Sequence, residues 1–271
     1  MEEGRKKTWF VYYLPRWGCL STGIVYTAIG IIAILSFLKL KEGGADEDSL
    51  LVFLNRYFIG KLFVGFILLG MVAFISWRIY ETIRDPYGYG TSLKGILRRG
   101  VTALSGFADA LIAFSAVQTL SGKGGLEDTG QPTAQRELAR QILSESWGDR
   151  ALLVIGIITG IVALGQVGYV LSRAYRERMD IDQLVRWKRT AIQVLAWAGH
   201  FARGIIIGIM GYFLIKAALS GNPQYVVNTD KAFDFIGDDV GHGWFIIVAA
   251  GTICYGLFMF VFGAYHDPDK D

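Results

Sequence analysis

The chain has 271 residues, of which 52% are hydrophobic and 19% charged, with 34 glycines, two cysteines and a net charge of +3. A soluble domain is about 45–50% apolar with glycine included, and about 25% charged. The excess lies in long segments that are apolar on every face, which excludes a soluble enzyme, a nucleic-acid-binding domain and a disordered chain. Cys19 and Cys254 both fall inside such segments, so we expect two buried thiols rather than a disulfide scaffold.

Six segments are long enough to cross a bilayer as helices, because a hydrocarbon core of about 30 Å needs about 20 residues. Backbone in lipid must satisfy its own hydrogen bonds, which favours helices. The first segment is too long for the apolar part of a signal peptide and lacks a cleavage site, so it is expected to be retained. The predicted spans are roughly 16–38, 61–80, 100–120, 151–172, 192–216 and 243–264.

The distribution of basic residues predicts the orientation of these spans. Sixteen Lys and Arg residues lie in the two tails and in the second-to-third and fourth-to-fifth connections, against ten in the other three connections. Since Lys and Arg are enriched on the cytoplasmic side of membranes, we predict that both termini are cytoplasmic. The basic residues lie beside Trp and Tyr, which predicts contact with anionic lipid headgroups and gives no reason to expect nucleic acid.

Each of the three outer connections contains a short amphipathic stretch that ends before a glycine. We expect these stretches to lie along the outer membrane surface or to cap the bundle. Their apolar residues are Leu50, Leu51, Phe53 and Leu54 before Gly60, Leu138, Ala139, Ile142 and Leu143 before Gly148, and Phe233, Phe235 and Ile236 before Gly241.

Glycines recur at matching positions in three helix pairs, which divides the chain into hairpins at 1–90, 91–185 and 186–271. Each hairpin enters and leaves on one side, so the repeats are parallel and related by an axis along the membrane normal. The prediction is an all-α bundle of six transmembrane helices with pseudo-threefold symmetry. The glycines are expected to allow close helix packing, and the alternative is that some are hinges or line a permeation path. The glycines are Gly23, Gly106 and Gly204 in the first helices, and the pairs Gly65/Gly70, Gly160/Gly165 and Gly251/Gly256 in the second helices.

Several short motifs resemble a bacterial membrane family known only as a domain of unknown function, number twelve-oh-six. They are Arg16-Trp17-Gly18, Gly23-Ile24-Val25-Tyr26, Gly30, Arg203-Gly204, and the stretch from Asp48 through Leu50 and Leu54 to Gly60. The resemblance covers residues from about 14 to 265 and implies three tandem two-helix repeats. The middle copy departs from the pattern, with Asp109 where the first copy has Tyr26. The family has no agreed activity, so the resemblance implies a fold and leaves the function open.

Two ionisable residues lie inside predicted spans, where charge is costly and marks a candidate site. Asp109 lies in the third span and Arg203 in the fifth, with His200 on the same helical face as Arg203. Under a threefold axis the two charges differ by four residues, about 6 Å in depth. We predict a buried Asp109–Arg203 pair, which either fixes the helix arrangement or gates a proton or small ion. Its predicted polar neighbours are Tyr26, Thr102, Ser105 and His200.

The sequence contains no signature of a catalytic or cofactor site. The run from Ser121 to Gly125 lacks the ending of a P-loop, and His242 with Asp238 and Asp239 is typical of solvated charge rather than of a metal site. We therefore expect no enzyme, cofactor or metal. The sequence favours a scaffold or subunit that binds lipid or a partner membrane protein. We expect the protein to be a monomer. The alternative is a small channel or transporter with a path past Asp109 and Arg203.

Overall fold

The computed structural model describes residues 9–38, 44–85, 88–92, 95–96, 99–100, 102–103, 110, 113–114, 117, 120–121 and 130–267. The regular elements in these residues are helical, with one isolated bridge between Met179 and His266. In chain order the α-helices are α1 (Trp9–Phe37), α2 (Glu47–Asn55), α3 (Phe58–Arg84), α4 (Thr133–Leu143), α5 (Gly148–Leu171), α6 (Arg186–Ser220), α7 (Thr229–Phe235) and α8 (His242–Ala264).

Five of these helices, α1, α3, α5, α6 and α8, are long and apolar enough to cross a membrane. They correspond to five of the six predicted spans. The third predicted span, 100–120, falls largely outside the described residues, and so do Ser105, Gly106 and Asp109.

The short helices α2, α4 and α7 lie in the connections that were predicted to hold amphipathic stretches. Two of them begin at a side-chain cap: Asp46 accepts from the Ser49 N–H, and Asn228 accepts from the Lys231 N–H. Such caps satisfy backbone donors that have no partner within the helix. We call the end of the bundle that carries α2, α4 and α7 the loop face, and the opposite end the terminal face.

The five long helices form an arc in which each packs on its neighbour. Going along the arc, α3 packs on α1, α1 on α8, α8 on α6, and α6 on α5. The arc therefore does not follow the order of the chain, because α1 has the last helix of the chain as its second neighbour.

The two hairpins α1–α3 and α6–α8 pack in the same way. A Cβ added to Gly18 would clash with Phe74, and one added to Gly199 would clash with Tyr255. A Cβ at Gly70 would lie 3.0 Å from the Trp17 carbonyl oxygen, and a Cβ at Gly251 would lie 2.9 Å from the Ala198 carbonyl oxygen. All of these positions are related by a shift of 181 residues, so the packing inside the hairpin is repeated.

The contacts between neighbouring hairpins are repeated as well. A Cβ added to Gly23 of α1 would lie 3.0 Å from the Gly256 carbonyl oxygen of α8, and one added to Gly204 of α6 would lie 3.2 Å from the Ala163 carbonyl oxygen of α5. A second pair of glycines further along the same two helices makes equivalent contacts: Gly30 faces Ala249, and Gly211 faces Gly156. Small residues at these positions let the helix backbones approach closely.

The structure corrects the alignment of the glycine pairs in the second helices. The pattern matched Gly65 with Gly251, whereas the packing matches Gly70 with Gly251. A Cβ at Gly65, Gly160 or Gly165 would meet no atom within 4 Å. The physical reason is that residues five apart on a helix differ by about 140° in direction, so the two glycines of a pair cannot face one neighbour. In α8 they face two different helices, Gly251 towards α6 and Gly256 towards α1.

Candidate functional site

Arg203 lies in the middle of α6 and contacts two aromatic rings from two other helices. Its guanidinium carbon is 4.7 Å from the ring centroid of Tyr26 on α1 and 4.6 Å from that of Tyr255 on α8. One of its amino groups also donates a hydrogen bond to the Tyr255 hydroxyl. A guanidinium held against aromatic faces in a half-buried site gains about 1 kcal/mol per contact. One cation thus holds α1, α6 and α8 together at mid-depth.

His200 extends this contact to a fourth helix. Its Nδ1 lies 2.8 Å from the side-chain oxygen of Gln166 on α5, so the Nδ1–H donates there. The imidazole is buried and packs on the rings of Tyr169 and Tyr255 at 5.0 and 5.2 Å between centroids. Together with Arg203 it forms a belt of polar contacts through α5, α6, α8 and α1.

The structure brings together three of the residues that were predicted for this site: Arg203, Tyr26 and His200. Thr102 is buried. Asp109 and Ser105 lie outside the described residues, so the Asp109–Arg203 pair stays a prediction. The prediction missed Tyr255, although a tyrosine in the middle of an apolar span was a visible signal.

A second polar cluster closes the loop face. We define the loop-face cluster as Asp46, Ser49, Gly130, Asn228 and Asp230, which come from three different connections. The Asn228 amide donates to the second carboxylate oxygen of Asp46 and, at 3.1 Å, to the Gly130 carbonyl oxygen. The Gly130 N–H donates to the Ser49 hydroxyl at 3.2 Å. These bonds tie all three connections to one another.

Asp230 completes the loop-face cluster by accepting from the Ala45 N–H at 2.5 Å. Burial raises the pKa of this carboxyl to about 6 and also raises the pKa of Asp46. The Lys231 ammonium lies 3.7 Å from the other oxygen of Asp230 and offsets part of that cost. The cluster therefore joins the connections to one another, because its polar atoms are directed at one another rather than at solvent.

A third polar cluster closes the terminal face. We define the terminal-face cluster as Glu81, Tyr89 and Arg178. The Glu81 carboxylate, 2% exposed, lies 2.6 Å from the Arg178 guanidinium, which also donates to the Tyr89 hydroxyl at 2.6 Å. The Arg178 carbonyl oxygen accepts from the Asp267 N–H at 3.1 Å. This cluster joins the end of α3 to the segments that follow α5 and α8.

Neither face cluster was predicted as a site. The sequence feature that could have indicated the loop-face cluster is a helix-capping residue, Asp46 or Asn228, directly before an amphipathic stretch. The signal for the terminal face was Glu81, a carboxylate that directly follows an apolar span.

Comparison with known proteins identifies the relatives of the chain. Residues 17–85 and 198–266 each match the family Domain of Unknown Function (DUF1206). Equivalent positions of the two regions are 181 residues apart, the same shift that relates the two hairpins, so the first and last hairpins are an internal repeat. The chain is 28% identical over 254 residues to the uncharacterized protein YxxB of Bacillus subtilis (strain 168), covering 92% of this chain and 89% of that protein. No solved structure matches the chain.

Proposed function

We propose that this chain, which belongs to the DUF1206 family, is a non-catalytic integral membrane protein that serves as a scaffold or subunit and binds lipid or a partner membrane protein. One observation carries the proposal: the polar side chains of Arg203, of His200 and of the two face clusters bind other groups of the described bundle, at mid-depth and at both faces. A permeation path needs polar groups directed at water along its length. Groups that are directed at one another instead support a rigid membrane body.

The proposal includes six transmembrane helices in a pseudo-threefold ring. The arc α3–α1–α8–α6–α5 alternates contacts within a hairpin and contacts between hairpins, as such a ring requires. We place the span predicted at 100–120 between the two ends of this arc, α5 and α3. The repeated glycine contacts support the same arrangement, since equivalent interfaces recur at a constant shift. A ring that closes on itself needs no second copy, so the protein is a monomer.

The terminal face is proposed to lie on the cytoplasmic side of a bacterial inner membrane. Trp17 and Trp187 are exposed there, and Arg186, Lys188 and Arg189 flank Trp187 at the start of α6. Exposed Trp beside basic residues is typical of the headgroup region and attracts anionic lipids.

Native mass spectrometry of the purified protein with added phosphatidylglycerol tests the lipid part of the proposal. We expect retained phosphatidylglycerol, reduced in a variant that changes Arg186, Lys188 and Arg189 to Gln. Co-purification of a stoichiometric membrane protein would supply the partner. Loss of every lipid on mild extraction, together with the absence of any partner, would contradict the scaffold proposal.

A channel or transporter is the second candidate, favoured by a cation and an imidazole at mid-depth, Arg203 and His200. Liposomes that contain the protein and a pH-sensitive dye distinguish the two candidates. The scaffold proposal expects no proton or K⁺ flux above that of protein-free liposomes, and no change in Asp109→Asn, whose fold stays intact. A flux that disappears in Arg203→Gln or Asp109→Asn, with the protein still folded, would establish the transporter instead.

A further inference from the structure

The loop-face cluster contains two buried carboxylates that come from distant parts of the chain. Asp46 directly precedes α2 and is 3% exposed, and Asp230 lies in α7 and is 9% exposed. Asp46 accepts from the Asn228 amide, and Asp230 accepts from the Ala45 N–H at 2.5 Å. Each carboxylate is therefore bound by the connection that carries the other one, so closing the loop face brings two like charges together.

The cation beside these carboxylates is shared with a third carboxylate. The Lys231 ammonium lies 3.7 Å from the Asp230 carboxylate and 2.7 Å from that of Asp234, which is exposed. An exposed carboxylate thus holds the ammonium more closely than the buried one does. The negative charge inside the closed cluster is only partly balanced as a result.

The other charged groups around the cluster do not supply the missing positive charge. Burial raises the pKa of the Asp46 carboxyl, and the nearby charge of Asp48 adds to this rise. Arg136 of α4 donates to the Val226 carbonyl oxygen at 3.2 Å and forms no ion pair with either buried carboxylate in the described part of the chain. Closing the loop face with both carboxyls ionised is therefore costly, since like charges in a buried site repel and lose their hydration.

Protonation of one carboxyl removes most of this cost. Burial raises the pKa of the Asp230 carboxyl from its ordinary value of 3.8 to about 6, and the charges of Asp234 and Asp46 add to the rise. When the connections separate, water reaches this carboxyl and its pKa returns towards the ordinary value. The closed form thus binds the proton more tightly than the open form. Closure is favoured below pH 4, and this advantage is lost as pH rises through about 6.

We propose that the loop-face cluster is a pH-sensitive latch, which is closed while Asp230 carries a proton and opens when that proton leaves. Loss of the proton leaves Asp46 and Asp230 negative at buried positions, and separation of α7 from the segment before α2 hydrates both. The rest of the bundle stays folded, because its five long helices pack on one another away from this cluster. The proposed orientation puts the loop face on the outer side, so the latch would respond to the external pH. That assignment of the side rests on the proposed function.

Amide hydrogen exchange of the full-length protein in detergent, read by mass spectrometry at pH 5 and pH 7.5, tests the latch. The Ala45 N–H and the Gly130 N–H both donate within the cluster, so the peptides that contain them report its opening. Protection factors, which correct for the faster intrinsic exchange at higher pH, measure the ratio of closed to open forms. A pKa of about 6 in the closed form and 3.8 in the open form predicts that this ratio falls about tenfold between the two pH values.

Two matched variants separate the latch from a general effect of pH. Asp230→Asn keeps an oxygen that can accept from the Ala45 N–H but carries no charge, so its protection is expected to change less than about twofold. Glu137→Gln neutralises an exposed carboxylate of α4 on the same face and is expected to keep the full tenfold fall. The Asp180 N–H, which donates to the Tyr265 carbonyl oxygen at the terminal face, serves as the internal control and is expected to keep its protection.

The outcomes separate this inference from the proposed function. If protection at Ala45 and Gly130 is the same at both pH values, or if Asp230→Asn keeps the fall, the latch is wrong and the scaffold proposal stands. If the amides of α8 lose protection in parallel, pH acts on the whole bundle and the latch is again wrong. If the tenfold fall is found but labelling of intact cells places the loop face in the cytoplasm, the latch holds and the proposed orientation is wrong.

Discussion

Two glycine-to-alanine substitutions make the same chemical change at positions with opposite packing. In Gly251→Ala the new Cβ would lie 2.5 Å from the Ala202 Cβ and 2.9 Å from the Ala198 carbonyl oxygen. In Gly65→Ala the new Cβ would meet no atom within 4 Å. The pair therefore tests the corrected helix alignment, in which Gly70 rather than Gly65 corresponds to Gly251.

The expected free energies follow from two opposing effects. Alanine is favoured over glycine inside a helix by about 0.5–1 kcal/mol, and Gly65→Ala gains this amount with no steric cost. Gly251→Ala gains the same amount, but α6 and α8 must separate because a backbone carbonyl cannot move by itself. Overpacking of this kind costs about 1–3 kcal/mol. The two variants are therefore expected to differ in free energy of unfolding by about 1–3 kcal/mol, with Gly251→Ala the less stable.

Thermal unfolding in detergent, followed by tryptophan fluorescence, measures this difference. For a protein of this size 1 kcal/mol corresponds to about 2–4 °C in the unfolding midpoint. Gly70→Ala serves as a second test, because its Cβ would lie 3.0 Å from the Trp17 carbonyl oxygen, and it is expected to behave like Gly251→Ala. If Gly65→Ala lowers the midpoint as much as Gly251→Ala does, the corrected alignment is refuted.

Three further predictions concern the face clusters. Burial raises the pKa of the Asp230 carboxyl to about 6, so the folded protein binds a proton at this carboxyl more tightly than the unfolded chain does. The stability of the wild type relative to Asp230→Asn is therefore expected to fall as pH rises from about 4 to about 6. Unfolding midpoints of both proteins across this range check it, and a constant difference would contradict it. Glu81→Gln leaves the Arg178 guanidinium without the Glu81 carboxylate, so it is expected to lower the free energy of unfolding, measured by chemical denaturation, by about 3 kcal/mol. The double variant Glu81→Gln, Arg178→Gln is expected to recover part of this loss. Asn228→Ala is expected to cost about 2 kcal/mol, against less than about 1 kcal/mol for the exposed cap variant Asn222→Ala, and equal effects would argue against the loop-face cluster.

The sequence predicts the described spans well because hydropathy reports the apolar part of each helix. The span predicted at 243–264 matches α8 (His242–Ala264) closely. The span predicted at 192–216 is shorter than α6 (Arg186–Ser220), because the helix continues through polar residues beyond the hydrocarbon and ends at Gly221 in a left-handed conformation, with φ at 60°. Hydropathy cannot find such polar turns, since they do not contribute to the apolar signal.

The contacts of Arg203 were predictable in part because a lone charge in an apolar span is rare enough to mark a site by itself. The face clusters carry no such signal. Asp46 and Asn228 lie in polar connections, and nothing local in either connection shows that the other will lie beside it. The misalignment of Gly65 with Gly251 has a different cause. The prediction compared only the spacing of the glycines along the sequence and not the direction in which each residue points from its helix. Only the packed helices distinguish Gly70 from Gly65.

The loop-face cluster constrains how this protein is made in the cell. A hydrogen bond from Asn228 to Asp46 joins residues that are 182 positions apart. A ribosome synthesises the chain from its N-terminus, so the first hairpin crosses the membrane long before Asn228 exists. Until the last connection arrives, the buried partners Asp46 and Ser49 must be satisfied by water. Sealing of the loop face is thus a late event of biogenesis, and a chain shortened before residue 228 is expected to stay open and to be removed by quality-control proteases.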